Sequence, residues 1–242
     1  MPSVTASRLV IIPAFNEEDN IARVVEDVHE HLPGAQVLVV DDGSGDATAA
    51  AARAAGASVA RLPVNLGYGA ALQTGYKFAN RQGFRSVAQM DADGQHLARY
   101  LPELLAVVEG GQADLAIGSR FLGGDDHYQP SVPRRIGMAL FGGIASLAMG
   151  KRITDPTSGY QALDAKVVHY FCSDVYPSDF PDADVLLLLH RKGFKVEELP
   201  VQMRMSDGPS MHGGHGSVYY VYKMLLSIAL GFMRSPSEER NA

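Results

Sequence analysis

The stretch RLVIIPAFNEEDNIARVVEDVHEHLPGAQVLVVDDGSGD, Arg8 to Asp46, decides the fold. It opens on a compact β-branched run, Arg8 to Pro13, and closes on a second, Gln36 to Asp41. Both are short and lack polar alternation, as strands covered on both faces do. Between them Ile21, Val24, Val25, Val28 and Leu32 recur at the helical period. Asn16-Glu17-Glu18 puts acid ahead of that helix, and Pro33-Gly34 stops it. Strand, helix and strand in this order predict parallel pairing through a crossover helix.

The same alternation continues outward. Ser58 to Leu62, Ser86 to Asp91 and Asp114 to Gly118 are further strand-like runs, and 47–55, 70–81 and 100–108 are further helices. The fold class is therefore α/β, a mainly parallel sheet with helices on both faces. Such sheets bind ligands at the carboxyl ends of their strands. Polar residues gather at those ends: Pro13-Ala14-Phe15-Asn16-Glu17, Asp41-Asp42-Gly43-Ser44-Gly45, Asn65-Leu66-Gly67-Tyr68-Gly69 and Asp91-Ala92-Asp93-Gly94-Gln95-His96. Beyond Phe121 the pattern changes to a Gly- and Pro-punctuated loop (123–133), an apolar helix (136–149) and Asp155-Pro156-Thr157-Ser158-Gly159-Tyr160. A strand, helices over 165–171 and 182–192, a last strand over 195–205 and a Gly-rich loop (206–216) follow. No repeat or long linker divides the chain.

At 242 residues the chain is long enough for one large domain. Its formal charge of −6 argues against broad nucleic-acid binding. A single cysteine, Cys172, fits a reducing compartment, and the first seven residues do not read as a signal peptide. No run reaches the length of a spanning helix.

Asp91 and Asp93 stand two apart at a strand end, so their side chains share a face. With the amide oxygen of Gln95 they form a hard oxygen site suited to Mg²⁺ or Mn²⁺, ions that commonly bridge a diphosphate. A solvated helix-capping turn is the plain alternative. Asp42 is a candidate partner for a nucleobase or ribose beside the slim Gly43-Ser44-Gly45 turn, or else a helix cap, a role open to Asp46 as well. Neither a dinucleotide fingerprint nor a Walker A loop is present: Leu72 stands where the third glycine of a fingerprint would fall.

In order along the chain, PAFNEE, VDDGSGD, NLGYGAALQTG, DADGQH, GSRF and DPTSGYQALD resemble the inverting family 2 glycosyltransferases of GT-A fold. The branch most similar is the dolichol-phosphate mannose synthase and polyprenyl-phosphate glycosyltransferase group, over about Arg8 to Arg204. The resemblance implies a single GT-A domain over 1–234: a nucleotide-sugar half (8–120), an acceptor half (121–216) and an apolar C-terminal helix (217–234), with 235–242 as a tail. It implies transfer of a hexose from a GDP-mannose or UDP-glucose type of donor to a polyprenyl or dolichyl phosphate. Pro13, Ala14, Asn16, Glu17 and Asp42 would surround the nucleotide, with Asn65 and Gly67 near the base. Asp91 and Ala92 would lie at the ribose and diphosphate, with Asp93 and Gln95 as metal ligands. Two departures stand out: Leu97-Ala98-Arg99 follows His96 where relatives often carry proline, and the clear transmembrane helices of many relatives are missing.

A phosphate acceptor is already ionised near neutral pH and needs cations more than a base. Arg120, Arg134 and Arg135 are the candidates, and Arg204, before the Gly-rich loop, is a candidate to close over the donor. A hydroxyl acceptor would need a base, and Asp155 is the candidate, against the alternative that it bonds its own Asp-Pro turn. The apolar 217–234 segment suits a membrane interface, a membrane partner, dimerisation or the core. Its expected setting is the cytoplasmic face of the cell membrane. His212 and His215, set among glycines, read as loop residues.

Overall fold

The computed structural model describes residues 8–122, 142–143, 146–147, 150–174, 176–177 and 183–204. In chain order they form β1 (Arg8–Ala14), α1 (Ile21–His31), β2 (Gln36–Asp41), α2 (Thr48–Ala54), β3 (Ser58–Arg61) and α3 (Tyr68–Gln82). Then come β4 (Ser86–Gln89), α4 (Leu101–Glu109), β5 (Leu115–Ser119), β6 (Gln161–Asp164), α5 (Ala165–Phe171), α6 (Ala183–Arg191) and β7 (Val196–Pro200). The strands make one seven-stranded sheet in the order β3-β2-β1-β4-β6-β5-β7. Parallel pairs join β1 to β2 and β4, β2 to β3, and β5 to β7. Only β6 runs against its neighbours, wedged between β4 and β5.

The period of two explains the layering. Leu9 and Ile11 of β1, with Leu38 and Val40 of β2, face Leu72 and Tyr76 of α3, Val168 of α5 and Leu189 of α6. Val10 and Ile12, with Val37 and Val39, face Val24, Val25 and Val28 of α1 and Leu104 and Leu105 of α4. Apolar residues on both faces are what a sheet covered by helices on both sides requires, so the α/β expectation is met. Helix α3 lies directly on β1, because a Cβ on Gly75 would stand 2.6 Å from Ile11 Cγ2.

The last strand is shorter than its apolar pattern predicts. Beyond Pro200, Val201 still donates its N–H to Ser119 O, but the chain then turns to a bridge between Met203 and His96. Hydrogen bonding at the strand ends, rather than side-chain pattern, sets that boundary. The expected helix over 136–149 lies largely outside the described residues, as do the 206–216 loop and the 217–234 segment.

Candidate functional site

The loops after β1 and β2 are sewn together at the carboxyl edge. Asn16, at φ 56°, turns its N–H to Ser44 Oγ at 3.0 Å and its Oδ1 to Gly45 N at 2.9 Å. Asparagine tolerates that left-handed backbone better than most residues. Glu17 N donates to Thr48 Oγ1 at 2.8 Å, while Asp46, one residue ahead of the α2 N-cap Ala47, accepts from Thr48 N at 3.0 Å. Pro13 and Ala14 end β1 as buried residues, and Asn16 is exposed.

Asp42 is buried, and its two oxygens accept the N–H groups of Leu66 (2.7 Å) and Gly67 (2.9 Å). Its first role is therefore to anchor the 65–67 loop, leaving Asn65 exposed at the rim. Gly43 allows the close approach: a Cβ there would lie 2.6 Å from the Val64 carbonyl carbon. Asp41 was passed over by sequence reasoning because it looks like a strand residue. It is wholly buried, accepts from Ser44 N at 2.9 Å, and forms an ion pair with Arg61 Nε at 3.1 Å.

After β4 comes the segment Asp91 to Gln95. Tyr68, at the start of α3, donates its hydroxyl to Asp91 Oδ1 at 2.9 Å. The Asp91 N–H donates to His96 Nδ1 at 3.0 Å, and that buried ring stacks on Tyr160 with centroids 4.8 Å apart. Asp93 takes the N–H and the side-chain amide of Gln95 at 2.9 and 2.5 Å, and Ala92 is buried between the two aspartates. Burial raises the Asp93 carboxyl above its ordinary value, and the charge of Asp91 raises it further. Burial likewise raises Glu17, with Asp93, Asp46 and Asp91 adding to it against the opposing bond from Asn20. The charges of Asp91 and Asp93 thus act on Glu17, and that of Asp91 on Asp93, a repulsion that a divalent cation bound by this segment would relieve. The oxygen donors Asp91, Asp93 and Gln95 are chemically suited to Mg²⁺ or Mn²⁺.

On the other half, Arg120 and Asp155 meet. Arg120 Nε and Nη2 donate to Asp155 Oδ2 and Oδ1 at 2.7 and 2.6 Å, its backbone N–H adds a third bond at 3.1 Å, and Thr157 Oγ1 accepts from Nη2. Asp155 has no exposed surface. The Asp155 carboxylate is thus engaged by the Arg120 guanidinium across the fold, while its carbonyl oxygen accepts from Ser158 N at 3.3 Å within its own turn. Much of the Arg120 charge is in turn balanced by this carboxylate. Glu198 of β7, overlooked in the sequence, accepts from Thr154 N and Asp155 N at 2.8 Å each and holds this turn. Arg204 is exposed, and its N–H donates to Gln95 O at 2.9 Å, which ties it to the Asp91–Gln95 segment. Arg134, Arg135, His212 and His215 lie outside the described residues.

With this geometry in hand, comparison with known proteins is direct. The model of a family described as glycosyl transferase family 2 matches residues 9–172. The chain belongs to glycosyltransferase family 2. Among family relatives, a polyprenol monophosphomannose synthase of Mycolicibacterium smegmatis is 35% identical over 205 residues, covering 81% of this chain and 77% of the relative. An undecaprenyl-phosphate mannosyltransferase of Micrococcus luteus is 32% identical over 202 residues, covering 80% and 82%. Glucosyl-3-phosphoglycerate synthase of Mycobacterium tuberculosis, solved with Mn²⁺, UDP-glucose and phosphoglyceric acid, aligns with a TM-score of 0.65 at 19% identity over 93% of this chain and 80% of that one. That likeness establishes the GT-A fold. The protein is a family 2 glycosyltransferase, and among its described residues no helix is long and apolar enough to cross a membrane.

Proposed function

We propose that this family 2 enzyme moves a hexosyl group from a nucleotide-diphosphate sugar, of the GDP-mannose or UDP-glucose type, to a polyprenyl phosphate at the cytoplasmic face of the membrane. The observation that carries the donor half is the set of oxygen donors Asp91, Asp93 and Gln95 on one segment after β4, with Asp91 bonded by Tyr68 and Asp93 by Gln95. Asp91, Asp93 and Gln95 would hold Mg²⁺ or Mn²⁺, and a bound ion supplies neutralisation of the charge that develops on the diphosphate. The loop from Pro13 to Glu17 and the 65–67 loop anchored by Asp42 would bind and orient the nucleotide. Arg204, docked beside Gln95, is a cation in reach of the donor side.

Burial of Asp155 supports the phosphate acceptor. A hydroxyl acceptor needs a base to take its proton, and this carboxylate is sealed against Arg120. A phosphate monoester needs none. Its oxygen attacks the anomeric carbon, the bond from that carbon to the diphosphate oxygen breaks, and the electron pair leaves with the nucleoside diphosphate. A single displacement of this kind inverts the anomeric centre. The names of the polyprenyl-phosphate relatives support the same acceptor class.

The test uses the full chain with donors radiolabelled in the sugar, undecaprenyl or dolichyl phosphate in detergent micelles, and Mn²⁺ or Mg²⁺. Label is expected to enter the organic phase as a glycolipid, with chelation abolishing the transfer and metal restoring it. Label passing only to soluble acceptors, or no donor binding at all, refutes the proposal.

A further inference from the structure

Three segments remote in sequence meet at the Asp91 carboxylate. Tyr68 donates its hydroxyl to Asp91 Oδ1 at 2.9 Å. A Cβ on Gly159 would fall 2.7 Å from that hydroxyl oxygen, and 3.2 and 3.4 Å from Asp91 Oδ1 and Oδ2. Asp42, for its part, grips Leu66 N and Gly67 N, the two residues just ahead of Tyr68. A continuous path of bonds therefore runs from the end of β2, through the 65–67 loop and the first residue of α3, to the first aspartate of the Asp91–Gln95 segment.

Such a path has a mechanical consequence. The terminal torsion of an aspartate is broad, so an unanchored carboxylate samples many planes. Fixing Oδ1 through a phenol that is itself held by the backbone narrows the directions open to Oδ2. The Tyr68 ring packs against the core cluster beneath α3, so the hydroxyl is delivered by a side chain with its own support. Outer partners of this kind set the orientation of metal- and phosphate-binding carboxylates.

We propose that Tyr68 is a positioning residue for Asp91, and that position 159 is glycine so that the Tyr68–Asp91 bond can form; this role rests on the donor- and metal-binding function proposed for Asp91 to Gln95. The bond also lies against the proposed acceptor half, because Gly159, which it packs beside, belongs to the turn that carries Asp155. Displacing the turn toward Tyr68 would disturb Asp91, and a shift of the 65–67 loop would reach Gly159 by the same route.

The test compares wild type with Tyr68→Phe, Gly159→Ala and the double variant. Calorimetric titration of Mn²⁺ in the presence of GDP or of UDP reads the site without turnover, and metal-free thermal unfolding reads the fold. Tyr68→Phe keeps the ring and removes only the hydroxyl, so binding should weaken by about tenfold, the usual scale for an outer partner, with little change in Tm. Gly159→Ala should weaken binding similarly by pushing the phenol away. The double variant should match Tyr68→Phe within about twofold, since the severe contact, 2.7 Å, is with the hydroxyl oxygen and those to Asp91 at 3.2 and 3.4 Å need only a few tenths of an ångström of give. Additive losses, or unchanged binding in Tyr68→Phe, overturn the assignment. A fall in Tm with binding intact does so too, as it marks a purely structural bond. A wild type that binds neither Mn²⁺–nucleotide complex would instead overturn the parent function, and this role with it.

Discussion

Asp93 pays for its place near the centre of the site. Its carboxyl is raised above the ordinary 3.8 by burial and by Asp91. The sign follows from linkage: a carboxyl raised in the folded state binds protons more tightly there than in the unfolded chain. Its ionisation thus costs stability above the folded value, and that cost vanishes as pH falls below 3.8. Asp93→Asn is expected to raise the Tm of the metal-free protein at neutral pH while removing Mn²⁺-dependent stabilisation. The advantage over wild type should fade as pH drops through the window above 3.8. Thermal unfolding across pH, with and without Mn²⁺, checks this; an unchanged or lower metal-free Tm at neutral pH contradicts it. The D-x-D spacing was plain in the sequence. The influence of Asp93 and Asp91 on Glu17 was not, because Glu17 stands on a different loop and the effect depends on how the two strand ends align.

At the scale of elements, the turn over 154–160 is fastened to the sheet from two strands. Arg120 leaves the end of β5, Glu198 sits on β7, and both fasten the turn, with Ser158 Oγ donating to Gly118 O at 2.7 Å. Removing one partner of a buried pair strands the other. Asp155→Ala is therefore expected to cost about 3–5 kcal/mol and to lower Tm by roughly 6–20 °C, measured by denaturant and thermal unfolding. A residue serving only as a base would instead abolish turnover with the fold intact. Sequence reasoning found Arg120 and Asp155 as separate candidates and assigned them separate tasks. Their pairing spans 35 positions, and no local pattern reports on it.

For the molecule as a whole, the lipid acceptor proposed above requires a chain with net charge −6 to approach a membrane. General attraction to an anionic surface does not favour that approach, and the apolar stretch at 217–234, with Tyr219, Tyr222, Leu225 and Phe232, is the segment we propose for attachment. The full chain is expected to float with phosphatidylcholine–phosphatidylglycerol vesicles and to remain bound in high salt. The pair Leu225→Asp and Phe232→Asp should release it while Mn²⁺–nucleotide binding persists. Absence of flotation by the native chain counts against membrane attachment.

What the sequence determined by itself was the periodic part of the protein. Apolar runs near five residues long and a 3.6-residue helical stripe are local consequences of which faces must be buried. The α/β class, the two-sided sheet and the rim of polar loops followed from them, and the ordered motifs pointed to family 2. The antiparallel insertion of β6 between β4 and β5, the early end of β7, the anchoring of 65–67 by Asp42 and the meeting of Tyr68, Asp91 and Gly159 were decided only in three dimensions. Each depends on which strand ends lie side by side, and that is set by packing and hydrogen bonding between segments far apart in the chain.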